Sequence, residues 1–454
     1  MAAPIDPTDL TNLPLFSNLQ GNILKGHGRD HTTHIFIHFN GKREKTARAW
    51  LKAFAEDYVT SFQKQLKERE LFKRNKVGGG LFAAVFLTKA GYQYLGFADV
   101  DQKLPDGGFT AGMQNRTGVT NDPAVSRWEE GFRSDIHAMI LLADDDLARM
   151  GTTAQTILKE LDYFARIETV EYGNAIRNAN GDGLEHFGYV DGVSQPLFLK
   201  DEVDGYMKFH NIPAKPMLFD PSADKALVLI PDPYTSESDA FGSYFVFRKL
   251  EQNVRAFKEA EEALGLDELG GAYLVGRFED GTPVVLSDEE GIIGSGKINN
   301  FNYQQPFDDP SGGRCPHFAH VRKTNPRRND EDKTHIMARR GIPFGHRNVA
   351  TTLDPSSLQS PKDGVGLLFM SYQASITNQF EFIQQFWANN PHFSQGGTGI
   401  DPIIGQGPGS RTYAFPNEYG NTAAGTTPKG FNQFVTMKGG EYFFTPSIPF
   451  LKNL

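Results

Sequence analysis

A single cysteine, Cys315, stands in a chain of 454 residues. That excludes an intramolecular disulfide framework and any zinc or iron–sulfur site built on several thiolates. An excess of positive charge is missing too. There are 46 Lys and Arg against 55 Asp and Glu, a formal net charge of -9, so no basic surface large enough to hold a phosphate backbone is implied and nucleic acid is not an expected partner. Nowhere do about 18 apolar residues run consecutively, which argues against a membrane partner. The opening "MAAPIDPTDLTNLPLF" lacks the basic stretch followed by an apolar run of a secretory signal. A soluble, cytoplasmic protein is the expectation, unless a signal has been removed. With 39% hydrophobic and 22% charged residues the composition is ordinary and globular, and the length suits two domains.

What is present is a repeated order of elements. "HTTHIFIHF" alternates, with Ile35, Ile37 and Phe39 on one face and His34, Phe36 and His38 on the other, the period of a strand. From 43 to about 70, Ala47, Trp50, Leu51, Phe54, Tyr58, Phe62 and Leu66 recur three or four apart, the stripe of an amphipathic helix. Strands are expected at 78–88 and 135–143, a helix from about 146 to 162, and an alternating strand at 166–173. Strand, helix, strand, strand, helix, strand is the ferredoxin-like order. A looser copy follows: a strand at 242–248 feeding a helix, strands at 334–341 and 364–374, a helix in "SITNQFEFIQQFWAN", and a last strand in "GEYFFTPSIPFL". Long Gly- and Pro-rich insertions at roughly 266–315 and 391–440 separate these elements, and loops of that length are usually functional or wrap something. The expected fold is therefore α+β, with ferredoxin-like domains at 1–195 and 196–454.

The stretch "GLEHFGYVDGVSQPL" sets Asp191 among apolar, aromatic and small residues, where a carboxylate is costly unless it is paired or has chemistry to do. Among the histidines, His27, His31, His34 and His38 have helical ligand spacing on paper. The last two lie in a predicted strand, where four residues span about 13 Å, so a polar strand face and loop is the better reading. No HExxH occurs, and "GQGPGS" lacks the lysine and helix of a phosphate loop. His320, in "CPHFAHVRKTNPRR", differs: apolar neighbours and a following basic edge suit either a satisfied core histidine or an axial haem ligand with a cation near the propionates. In "HIMARRGIPFG", Arg339 and Arg340 point to opposite faces if the segment is a strand. One of them then faces inward and wants an anion, for which Asp191 is a candidate, as a plain salt bridge or as part of a site.

Together these segments resemble the dye-decolorizing peroxidases. The resemblance rests on Gly188, Asp191 and Gly192 in "GYVDG", a GxxDG motif; on "HVRKTNPR"; on the arginine ahead of "GIPFG"; and on "GLLFMSYQASITNQFEFIQQFW", with "FSNLQGNILKGHGR" resembling the family's opening. These anchors span nearly the whole chain.

The resemblance implies two ferredoxin-like domains with antiparallel sheets and a haem b pocket mainly in the C-terminal one. His320 would be the proximal iron ligand, Asp401 in "GIDPIIGQ" the carboxylate that accepts its Nδ1–H, and Arg322 a contact to a propionate. On the distal side Asp191 would shuttle the peroxide proton and Arg339 would stabilise the charge that develops as the O–O bond breaks. Leu367 and Phe369, two apart on a strand, would wall the pocket down to peroxide size. Bulky reductants would then deliver electrons through a surface residue. Phe344 fills a slot that holds tyrosine in some relatives and cannot supply a phenoxyl radical, so Trp387 is the candidate, ahead of Tyr372, although its place on an apolar helix face equally suits a purely core role. The expected activity is oxidation of anthraquinone and azo dyes and phenols by hydrogen peroxide through an oxoferryl state. The rival is a haem-handling protein of iron metabolism with incidental turnover. A third role, cargo of a protein nanocompartment, is not expected, because the chain ends at "PSIPFLKNL" without a targeting tail.

Overall fold

Eight strands carry the architecture of the computed structural model, which describes residues 4–304, 309–346 and 360–454. They are β1 (His31–Phe39), β2 (Phe82–Leu87), β3 (Ala138–Asp144), β4 (Ala165–Asn174), β5 (Phe241–Gln252), β6 (Ile342–Phe344), β7 (Gly366–Gln373) and β8 (Val435–Thr445). The first four form an antiparallel sheet in the order β2-β3-β1-β4 and the last four a second in the order β8-β5-β7-β6. Each is the ferredoxin-like arrangement that the element order predicted. The sheets meet edge to edge at two short seams, Phe444 beside Leu87 and Phe344 beside Gly173, which closes the eight strands into a ring. Closure leaves few free strand edges. Apolar residues on consecutive positions are buried on both faces, as in "FAAVFL" of β2 and "AMILLAD" of β3. Phe36 packs against Phe132, Phe247 and Phe443.

Several expectations need correction. The helix over 43–70 is two helices, α1 (Glu44–Asp57) and α2 (Phe62–Asn75). The break falls at Val59 and Thr60, where the Thr60 amide bonds to the Ala83 carbonyl, and Ser61 starts the new helix by accepting the Lys64 amide. The strand over 334–341 shrinks to Ala338–Arg339. Residues Asp330–His335 are helical, capped by Asn329 and acidic throughout the first turn, a pattern that suits a helix N-terminus. Ala338–Arg339 and β6 pair with successive parts of β7, interrupted at Arg340 and Gly341. The insertions also hold regular structure: a helix at Asp267–Val275 in the first, whose residues 305–308 lie outside the described residues, and a hairpin of Thr412–Pro416 with Thr426–Gly430 in the second.

His34 is buried and His27 half-buried, and their imidazoles are pushed down to about 3, by removal from water first and then by neighbouring cations at His27. They stay neutral, and no group of three metal-ligating side chains occurs among the described residues. No helix among those residues is long and apolar enough to cross a membrane.

Candidate active site

The strand period builds one wall of a deep cavity. Arg248, Leu250 and Gln252 of β5 and Leu367 and Phe369 of β7 face it, two apart on each strand. In register, Leu367 pairs with Leu250 and Phe369 with Arg248, so the side chains are cross-strand neighbours on one face. Leu368 and Met370 turn the other way and are buried.

A tight loop supplies the next wall. Gly188 and Gly192 have φ of 107° and 79°, a region that favours glycine, which is why the GxxDG spacing needs glycine at both ends. The loop is folded around Glu185, whose carboxylate accepts the Phe187 amide at 2.8 Å, the Tyr189 amide at 3.0 Å and the Gln252 side chain. Burial pushes the Glu185 carboxyl up to about 7, against those hydrogen bonds and with help from Asp191. The Asp191 amide closes the loop on the Gly183 carbonyl at 2.9 Å, which brings the Asp191 side chain into the cavity lining.

There Asp191 Oδ1 lies 3.6 Å from Arg339 Nη1, and the two side chains keep 37% and 32% exposure. Arg339 is steadied by its amide on Gln195 Oε1 at 3.0 Å and by Nη2 on the Ser194 carbonyl at 3.4 Å. Arg340 points elsewhere: its guanidinium donates to the carbonyls of Asn22, Ile23 and Arg339, and burial pushes its pKa down to about 10. Opposite faces for the two arginines is what a strand requires, and Arg339 is the one in the cavity lining.

His320 opens a short helix, His320–Thr324, and its ring lines the same cavity. Nδ1 lies 2.9 Å from Asp401 Oδ2. Asp401 is fully buried, and its other oxygen accepts the amides of Ile403 at 2.8 Å and Ile404 at 2.9 Å. Burial opposes the charge on Asp401, but His320 and the two amides outweigh it and hold the carboxyl below its usual value. An ionised Asp401 is acceptor-only, so Nδ1 carries a proton and Nε2 is the nitrogen left to act as a ligand in the neutral ring. Nε2 has no hydrogen-bond partner among the described residues.

Two expected residues are placed otherwise. Arg322 is not in the cavity lining. It is buried and donates to Asp309 Oδ2 at 3.0 Å, to the Asp309 carbonyl at 2.8 Å and to the Cys315 carbonyl. On a helix, two residues beyond His320 is the far side. Trp387 is not at the surface: it is 2% exposed, stacked on Phe393 at 5.2 Å and edge-on to His335 and Phe382. Its helix face turned inward, and Phe386 is the exposed neighbour. Tyr372 is fully buried as well, and Phe344 is buried at the β4–β6 seam.

Two cavity cations were missed in the sequence, Arg248, which is paired with Asp122, and Arg277. Arg277 is buried and donates from Nη1 to the carbonyls of Gly281 and Ile298, both at 2.9 Å, while Nη2 has no partner among the described residues. Burial, with Arg327 and Arg339 nearby, pushes it down to about 9. An unmet buried donor of that kind wants an anion. Only its place in the first long insertion hinted at a role. Apolar walls of Leu250, Val275, Leu367, Ile383 and Ile404, a free imidazole nitrogen and an unpaired guanidinium nitrogen suit a flat apolar group bearing one metal and acidic substituents.

The ring of two ferredoxin-like sheets and a cavity with an Asp–Arg pair and an Asp-backed histidine define the DyP-type peroxidases, and the chain belongs to that family. Residues 18–177 match the model of the DyP dimeric alpha+beta barrel domain and residues 220–395 that of the Dyp-type peroxidase C-terminal domain. Over 466 residues the chain is 42% identical to the multifunctional dye peroxidase DyP2 of Amycolatopsis sp. (strain ATCC 39116 / 75iv2), covering 97% of this chain and 96% of that one. It is 32% identical to peroxidase 2 of Mycetinis scorodonius, covering 81% and 74%. Among solved structures, a DyP-type peroxidase of Anabaena sp. superposes with a TM-score of 0.91 at 40% identity, covering 99% and 96%. The protein is a peroxidase of the dye-decolorizing class.

Proposed function

We propose that the protein is a haem b peroxidase in which His320 holds the iron and Asp191 and Arg339 activate hydrogen peroxide. The observation that carries this reading is that one cavity is lined both by an imidazole with a free Nε2 backed by a buried carboxylate and by a carboxylate–guanidinium pair at 3.6 Å. Haem binding alone would need the first feature and not the second.

Haem b, when bound, supplies the two-electron reduction of peroxide and the successive one-electron oxidations of reductant. The chain's own residues do the rest. Asp401 fixes the His320 tautomer and makes the ring a stronger donor. Arg277, buried in the cavity wall with one donor unmet, would hold an acidic substituent of the haem. Asp191 takes the proton from one peroxide oxygen and returns it to the departing oxygen, and the half-exposed position of its carboxylate leaves it free to do so. Arg339 stabilises the negative charge on the departing oxygen, a role suited to a guanidinium. Leu367 and Phe369 exclude bulky reductants, so anthraquinone or azo dyes and phenols would give up electrons from outside the cavity.

Haem titration of the wild type and of His320→Ala tests the assignment. A Soret spectrum of histidine-ligated haem in the wild type that is lost or replaced in the variant is expected. The same spectrum in both would refute it.

A further inference from the structure

Behind His320 lies a lysine with no part in the scheme above. Lys323 is fully buried, 0% exposed, one turn beyond His320 on the same short helix. Its ammonium donates to the carbonyls of Asn390 at 2.9 Å, Phe393 at 2.6 Å and Gly399 at 2.8 Å. Three protons meet three acceptors, so the charged form is fully satisfied. The lysine has no carboxylate in contact, yet it interacts electrostatically with Asp401, two residues beyond the last of those carbonyls. Burial pushes Lys323 down to about 8 and Asp401 counteracts this, so the ammonium is mostly charged at neutral pH. A buried cation in a carbonyl cradle next to a buried anion in an amide cradle is a costly arrangement, and core packing alone would be served by an apolar side chain.

We propose that Lys323 is a positioning residue acting through Asp401: its charge moderates how strongly the carboxylate pulls on the His320 Nδ1 proton, and so sets how much electron density the ring gives to a bound iron. The effect is electrostatic. Asp401 owes its orientation to the Ile403 and Ile404 amides and to its own amide on the Ala388 carbonyl at 2.7 Å, none of which involves Lys323. Without the neighbouring positive charge the carboxylate is a stronger acceptor in a low-dielectric surrounding. Its hydrogen bond to Nδ1 tightens and the imidazole becomes more imidazolate-like.

The inference rests on the haem reading given above, and the test separates the two. The haem-loaded protein is prepared as wild type, Lys323→Gln, Asp401→Asn and the double variant. Gln removes the charge and keeps two donors for the carbonyls. Lys323→Met is the second neutral variant should Gln perturb folding, which thermal melts monitor. The readout is the iron–histidine stretching frequency of the ferrous protein by resonance Raman, which follows imidazolate character and does not depend on turnover. An upward shift in Lys323→Gln or Lys323→Met that disappears in the Asp401→Asn background is expected. No shift, or an equal shift in both backgrounds, overturns the proposal for Lys323. If the wild type shows no iron–histidine band, the haem reading itself fails.

Discussion

Replacing Asp191 by Asn removes one proton-accepting group and little else. The geometry bounds each side of the effect. Asn can still accept the Gly192 amide, which bonds Asp191 Oδ1 at 2.6 Å, and the loop is held by Glu185 and by the Asp191 backbone, which the substitution leaves intact. The ion pair with Arg339 is lost, but at 3.6 Å and with both side chains about one-third exposed it contributes no more than about 1 kcal/mol to stability. A positioned acid–base group contributes roughly a hundredfold to ten-thousandfold in rate, or about 3 to 5 kcal/mol in the barrier. Folding and haem uptake should therefore be nearly unchanged, and the bimolecular reaction with peroxide should slow at least about a hundredfold. Stopped-flow absorbance of the Soret band, with one equivalent of hydrogen peroxide, measures that step before any reductant is involved. Glu185 is the nearest alternative base in the cavity, but its carboxylate already accepts two amides and Gln252. An Asp191→Asn protein that binds haem normally and reacts at the wild-type rate would refute the shuttle role and shift attention to Glu185.

Three further outcomes follow from the packing. Arg322→Met leaves the buried Asp309 without its cation and with only the Arg314 and Cys315 amides, so a loss of up to about 3 to 5 kcal/mol is expected in denaturant unfolding, with the Soret spectrum of the surviving folded protein unchanged. Phe369→Ala opens the β7 wall, and the rate with a bulky alkyl hydroperoxide should rise relative to that with hydrogen peroxide; an unchanged ratio would show that Phe369 does not limit access. Glu441 is buried in β8, and burial, against the Met113 and Tyr442 amides, pushes its carboxyl up to about 7 from 4.5. A raised folded value means the folded state holds the proton more tightly, so stability is present below 4.5 and is lost as pH climbs to about 7. The rise corresponds to roughly 3 kcal/mol, and Glu441→Gln should gain on the wild type by up to that amount between pH 5 and 8 in paired unfolding titrations.

The fold was legible because its signal is periodic. Alternation in "HTTHIFIHF", apolar runs in β2 and β3, and the helix stripe after the first strand gave the first ferredoxin-like unit, while the looser second copy gave the element order but misplaced its second strand, which lies at Ile342–Phe344. The closure of the two sheets was not legible, since each seam rests on one residue pair, Phe444 with Leu87 and Phe344 with Gly173. In the site, Leu367 and Phe369 lie on one face of β7 as the pattern put them, and Arg339 and Arg340 point apart although the strand ends at Arg339. Residues whose role depends on rotation about a short helix or on a loop path did not. Arg322 sits one-half turn from His320 and so leaves the cavity, while Arg277 enters it from an insertion whose course no local rule predicts.

On the proposed reading, aspartate at 191 and aspartate at 401 are given different work by their environments. Asp401 is fully buried, bound through both oxygens and held ionised. Every lone-pair direction that matters is already used, so it can fix a proton on Nδ1 but cannot carry one away. Asp191 has one hydrogen bond from the adjacent amide, a guanidinium at 3.6 Å and a third of its surface open to the cavity. A shuttle must change protonation state during each turnover without unravelling its surroundings, and only the second environment tolerates that. Gly192 helps to keep it there: with φ of 79° it lets the chain turn at once after Asp191. Substituting Gly192 would strain the turn even though the space around it is empty. The GxxDG spacing is therefore a statement about freedom of movement at one carboxylate, as the buried, fully bonded Asp401 is a statement about its absence at the other.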